Sequence, residues 1–190
     1  ESYFDQVLTS GCKTISMGGD HTISLPILRA YAKRFDDLAL VHVDAHSDTN
    51  EAMFGELVTH GTVFRRAIEE DLVNPKMMFQ IGLRATGYSA LDFNWAKDQG
   101  VKIIAAEECW YKSLSPYMSD IRDQIGESRP VYLSFDIDGL DPSVAPGTGT
   151  PEPGGLQTSQ GLEIIRGLFG LNVVGCDLVE VSPPYDTSGN

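Results

Sequence analysis

The chain has 190 residues, enough for one domain with a sizeable core and too few for two comfortable ones. Hydrophobic residues make up 42% and charged residues 22%, a globular balance and not a disordered one. The net charge of −13 argues against a general nucleic-acid surface, because a phosphate backbone attracts a basic face. No apolar run approaches the ~20 residues needed to span a bilayer, so no membrane partner is expected.

Six short apolar runs read as strands: Cys12 to Met17, Leu38 to Val43, Met77 to Ile81, Val101 to Ala105, Val131 to Phe135 and Val173 to Val179. Runs that are apolar on both faces suit parallel strands covered by helices. Between them, Ile23 to Phe35, Thr62 to Glu70, Ser89 to Gln99, Ser113 to Ile125 and Ser159 to Phe169 read as helices. Thr22 is the expected N-cap of the first, and Pro26 falls in its first turn, where a missing N–H costs little. The alternation predicts one domain over residues 1–190, a three-layer α/β/α arrangement around a parallel sheet. The chain opens Glu-Ser-Tyr-Phe-Asp without a targeting pattern, and both ends are expected to be cut. Cys12, Cys109 and Cys176 are far apart and odd in number, which predicts reduced, buried thiols in a reducing compartment, the cytoplasm.

The polar residues fall where strands end. Asp20-His21 follows the first run, Asp44-Ala45-His46-Ser47-Asp48 the second, Asp136-Ile137-Asp138 the fifth and Glu180 the sixth. Ligands of open parallel sheets gather at the carboxyl ends of strands. Asp44 and His46, like Asp136 and Asp138, are two apart, so strand alternation would point each pair to one face. His21 would enter from the neighbouring strand. Asp44, Asp48, Asp136 and Asp138 would crowd four negative charges into one crevice, with no Lys or Arg in those motifs to neutralise them. Two divalent cations would balance the charge, and an oxygen-rich set with two imidazoles and no thiolate favours Mn²⁺ over structural zinc. The reaction class that follows is metal-activated hydrolysis. Each piece alone has an ordinary reading: His21 as a helix cap, His60 as a surface residue beside Gly61, Glu180 as a solvated strand end. Their convergence is what favours a site.

The Gly/Pro-rich loop from Ala145 to Gly155 lacks the order and the lysine of a phosphate-binding loop and reads as a rigid wall. Met53, Phe54 and Trp110 are expected in the core or lining a pocket. Glu51 and Glu56, in the loop from Thr49 to Thr59, are open to a role at a cationic tail or to simple solvation.

Gly18-Gly19-Asp20-His21, Asp44 to Asp48, and Ser134 to Pro142 running into Pro146 to Pro151 resemble the three signature motifs of the ureohydrolases, the arginase and agmatinase family. His60 to Arg66, Glu107 to Trp110 and Asp177 to Tyr185 are most similar to the agmatinase and guanidinobutyrase branch, and Gln80 to Arg84 with Asp92 to Trp95 lean toward guanidinobutyrase-like members. The resemblance implies an eight-stranded parallel sheet and a binuclear manganese cluster. His21, Asp44, Asp48 and Asp136 would hold one ion, and Asp44, His46, Asp136 and Asp138 the other, with Asp44 and Asp136 bridging. His60 would shuttle a proton and Glu180 would bind the guanidinium. In the loop from Thr49 to Thr59, Met53 and Phe54 are the candidate apolar walls for the substrate. The implied reaction is cleavage of 4-guanidinobutanoate or agmatine to urea and an amine. A trimer or hexamer is implied for the full-length protein, and a mitochondrial location for an animal source. Two competing readings are a catalytically silent interaction protein on the same fold and a one-zinc deacetylase relative; Asp138 and Glu180 speak against the latter.

Overall fold

The computed structural model describes residues 1–85, 92–187 and 189. Helix α1 (Ser2–Thr9) leads into β1 (Thr14–Met17), α2 (Ser24–Ala32) and β2 (Ala39–Val43). Next come α3 (Val63–Glu69), β3 (Met78–Leu83), α4 (Asp92–Gln99) and β4 (Lys102–Ala105). Two helices, α5 (Ala106–Cys109) and α6 (Ser115–Ile125), precede β5 (Pro130–Asp136), α7 (Thr158–Gly167) and β6 (Asn172–Val179). All six expected strands form. The start of the helix expected from Ser89 lies outside the described residues.

The strands make one parallel sheet in the order β1-β6-β5-β2-β3-β4. That is six strands among the described residues, against the eight the resemblance implies. Strand alternation splits the core. Leu40 of β2 packs with Leu28, Phe64, Met78 and Tyr132 on the face covered by α1 to α4. Ala39, Val41 and Val43 pack with Ile81, Met118, Ile121 and Ile164 on the face covered by α5 to α7. Each buried large aliphatic contributes about 1.5–3 kcal/mol, so the sheet is held from both sides. Helix α1 was not expected from sequence; it is short, lacks a side-chain cap and is anchored by Leu8.

Strand order decides where a site can form. From β2 the chain steps outward to β3 and β4, then returns to β5 on the other side of β2. The carboxyl ends of β2 and β5 therefore flank a topological switch point, where open α/β sheets leave a crevice.

Candidate metal centre and active-site cleft

Asp44 leaves β2 with its N–H bonded to Ile81 O at 3.1 Å. Its Oδ1 accepts the His46 N–H at 2.6 Å, which turns the chain at once and brings His46 back over the strand end. Asp136 closes β5, and its Oδ1 caps the Asp138 N–H at 2.9 Å in the 3₁₀ turn Ile137–Gly139. The two aspartates therefore converge through a turn and not through strand alternation as the spacing suggested. Gly139 is required there: a Cβ would stand 2.9 Å from Val43 Cγ1 and 3.0 Å from Asp44 N. Asp138 Oδ1 accepts from Ala45 N at 3.1 Å, joining the two turns.

His21 arrives from the far edge of this half-sheet. Strands β6 and β5 lie between β1 and β2, so it does not come from a strand next to Asp44. It sits in the 3₁₀ turn His21–Ile23, capped by Asp20 and not by Thr22, and α2 begins only at Ser24. Its ring is fully buried, and Nδ1 lies 2.9 Å from Asp48 Oδ2, 3.2 Å from Asp136 Oδ2 and 3.3 Å from Asp44 Oδ2. That nitrogen has hydrogen-bond geometry to none of them. His46 Nδ1 lies 3.3 Å from Asp44 Oδ1 and 3.1 Å from Asp138 Oδ2. Each imidazole thus faces its own group of carboxylates, and Asp44 belongs to both. Asp48 reaches the cluster with a positive φ of 50°, and Glu180 has one of 61°. Non-glycine residues held in this region cost roughly 1–3 kcal/mol each, a strain that clusters at functional sites.

The electrostatics match that crowding. Burial and the Asp44 charge push the carboxyls of Asp136 and Asp138 above the ordinary range. Burial also opposes charge on Asp44, but His42, His21 and His46 hold it well below that range. The His21 ring is penalised by burial yet held well above its usual value by Asp136, Asp44 and Asp48. The donor set is carboxylate oxygens and imidazole nitrogens, with a buried nitrogen aimed into three oxygens. Divalent cations fit it on charge, on donor chemistry and on that unsatisfied atom.

Above the cluster opens a cavity of about 160 Å³ lined by His46, Asp48, Asp136, Asp138, His60, Glu180, Met53, Asn50, Phe93 and Thr150, among others. His60 is placed by the 3₁₀ turn His60–Thr62, in which Thr62 Oγ1 accepts from Thr59 N at 2.9 Å. Its Nδ1 is 3.8 Å from Glu180 Oε1. Glu180 Oε1 accepts the His21 N–H at 2.8 Å, and burial pushes its carboxyl above the usual range. Thr150 donates to Asp138 Oδ2 at 3.1 Å, bringing the Gly/Pro-rich loop to the site. The remaining expectations divide. Phe54 is 81% exposed and neither core nor cavity lining, because its backbone turns outward at a φ of 56°. Trp110 is half exposed but lines a pocket as expected, beside Arg84, Phe93 and Pro153, and it pins Gly154 O through its indole N–H at 2.8 Å. Glu51 and Glu56 are exposed and not among the residues lining the cavity. Cys12 is exposed, whereas Cys109 is buried and its thiol is pushed up to about 11 by burial.

Sequence reading missed the residues beneath the cluster. Gln80 donates to Ser47 O at 2.7 Å and stands 3.0 Å from His42 Nδ1, so that nitrogen accepts. The His42 proton is then on Nε2 and goes to Asp44 Oδ2 at 2.7 Å. With both nitrogens engaged, His42 orients Asp44 and is not itself a ligand. Arg84 lays its guanidinium across the carbonyls of Asp138, Gly139, Leu140, Glu152 and Gly82. The available signal was a polar residue inside a strand otherwise apolar on both faces: His42, Gln80, Ser134 and Asp177 each stand so, and buried polar groups find partners.

No helix among the described residues is long and apolar enough to cross a membrane. The chain is 60% identical over 190 residues to a guanidinobutyrase of Pseudomonas aeruginosa and 54% identical over 190 residues to a mitochondrial agmatinase of Gallus gallus. It is covered completely in both and spans 59% and 55% of their lengths. The solved structure of proclavaminate amidino hydrolase from Streptomyces clavuligerus superposes with a TM-score of 0.90 at 42% identity, over 99% of this chain and 62% of that one. Residues 1–190 match the arginase family throughout, and the chain belongs to that family.

Proposed function

We propose that this chain carries the metal centre and catalytic cleft of a hydrolase that cleaves a linear guanidino compound, 4-guanidinobutanoate or agmatine, to urea and an amine. The observation that carries the reading is the pair of imidazoles, each facing its own carboxylates with Asp44 common to both. His21, Asp44, Asp48 and Asp136 hold one Mn²⁺, and Asp44, His46, Asp136 and Asp138 the other. The names of the relatives support a guanidino substrate, and guanidinobutanoate and agmatine differ only at the end remote from the reaction. A homo-oligomer, trimer or hexamer, belongs to the same reading.

When bound, the two ions supply Lewis acidity and lower the pKa of an attacking water. Glu180 accepts N–H bonds from the guanidinium. Its Oε1 already takes the His21 N–H, which fixes the carboxylate's direction toward the cavity while leaving lone pairs on both oxygens. The amine leaves only when protonated, and in this reading His60 delivers that proton, which its position lining the cavity 3.8 Å from Glu180 supports. Met53 and Phe93 supply apolar wall for the methylene chain. The test is urea release by the natural protein, with Mn²⁺, from a panel of guanidino compounds. Turnover of 4-guanidinobutanoate or agmatine is expected; release of urea from none of the panel refutes the reading.

A further inference from the structure

Asp177 is 3% exposed in the second half of β6, three residues before Glu180 and on the strand paired with β5, and it has no role in the ligand sets above. Three hydroxyls point at it. Tyr132 and Ser24 donate to its Oδ2 at 2.9 and 2.7 Å, and Ser134 donates to its Oδ1 at 2.7 Å. Ser24 opens α2, directly after the turn that holds His21, while Tyr132 and Ser134 belong to β5. One buried carboxylate therefore ties two strands to the segment that delivers His21.

Ser134 has one hydroxyl proton. It is committed to Asp177, so the oxygen has only lone pairs to offer its other neighbour, His21 Nε2, at 2.8 Å. A hydrogen bond at that distance needs a proton, and it must come from the ring. In the neutral ring that a bound cation requires, His21 is then protonated on Nε2, which leaves the lone pair on Nδ1, the atom that faces Asp44, Asp48 and Asp136. With the opposite assignment Nδ1 would carry the proton and could not bind a cation.

We propose that Ser134 and Asp177 are positioning residues that fix the ring tautomer of His21 and so make its Nδ1 a metal-binding atom. The inference rests on the metal-centre reading above. A histidine ligand that loses the acceptor of its other ring proton typically costs 10–100-fold in metal affinity. The network also explains why β5 carries a serine at a fully buried position, where an apolar side chain would otherwise pack.

The experiment has two readouts, neither of which is turnover. In the Zn²⁺-loaded natural protein, which is diamagnetic, ¹H–¹⁵N correlation of the imidazoles reports which nitrogen of His21 carries hydrogen. Mn²⁺ titration followed by electron paramagnetic resonance gives the dissociation constants. Expected are an exchange-protected His21 Nε2–H in the parent, its loss in Ser134→Ala, and a Kd for Mn²⁺ weakened about 10–100-fold in that variant. Asp177→Asn gives the same comparison if Ser134→Ala does not fold. Ser24→Ala removes a hydrogen bond from the same carboxylate without touching the Ser134 branch, and is expected to keep the signal and stay within about threefold of the parent Kd. A parent His21 protonated on Nδ1, or a Ser134→Ala protein that binds Mn²⁺ like the parent, overturns the inference alone. A parent that takes up neither ion overturns the metal-centre reading and the inference with it.

Discussion

Replacing Arg84 tests whether the Asp138 turn is held in place from outside the carboxylate and imidazole cluster. Its Nη2 donates to Asp138 O and Glu152 O at 2.7 Å each and to Leu140 O at 3.1 Å; Nε and Nη1 reach Glu152, Gly82 and Gly139 at 3.0 to 3.2 Å. A hydrogen bond to a charged group is worth about 1.5–3 kcal/mol net. The residue is only half-buried, so water recovers part of the loss, and the contacts are not additive. Counting the two shortest bonds alone, Arg84→Ala should cost about 3–5 kcal/mol. For a domain of this size each kcal/mol moves the melting temperature by roughly 2–4 °C, so a fall of about 10 °C is expected by calorimetry. Arg84→Lys keeps the charge but not the planar fork, and about half of the loss should remain. An Arg84→Ala protein that melts within about 2 °C of the parent would falsify the clamp.

Three further outcomes follow from the same geometry. Chelating the metal should lower the melting temperature; at a free ion concentration about 100-fold above Kd the lost stabilisation is about 2.7 kcal/mol, and an unchanged melting curve would contradict bound ions. His60→Ala should keep its Mn²⁺ content by elemental analysis but lose about 10²–10⁴-fold in kcat, and full turnover would remove His60 from proton transfer. The metal-free protein has its own pH dependence. Burial opposes charge on His46, yet Asp138 and Asp44 raise it to about 11. A cationic ring favoured by the fold contributes stability that is complete below the unfolded pKa of ~6.5 and is lost as pH climbs toward about 11. The metal-free melting temperature should therefore fall between about pH 7 and about pH 10, while Mn²⁺ binds more tightly over the same range because it must displace those protons. A metal-free melting temperature that rises across that window sinks the argument.

The apolar runs were enough to place all six strands, because a strand buried on both faces cannot be written in any other alphabet. The motifs at strand ends picked out His21, Asp44, His46, Asp48, Asp136 and Asp138 by convergence, each piece alone having an ordinary reading, and the fold does bring these side chains together. Spacing did not reveal how they meet. Asp136 and Asp138 converge through a 3₁₀ turn that only Gly139 can pack against β2, and His21 reaches across two intervening strands. Those facts depend on strand order, which is a property of long-range pairing and leaves no local trace. The supports were equally hidden. Nothing near Ser134 in sequence announces Asp177, 43 residues away, nor Arg84 its carbonyls 54 to 68 residues on. Local sequence determined the kinds of element and the chemistry carried at their ends; the tertiary fold alone decided which atoms face one another, because a hydrogen bond or a shared cation is set by ångströms in space and not by distance along the chain.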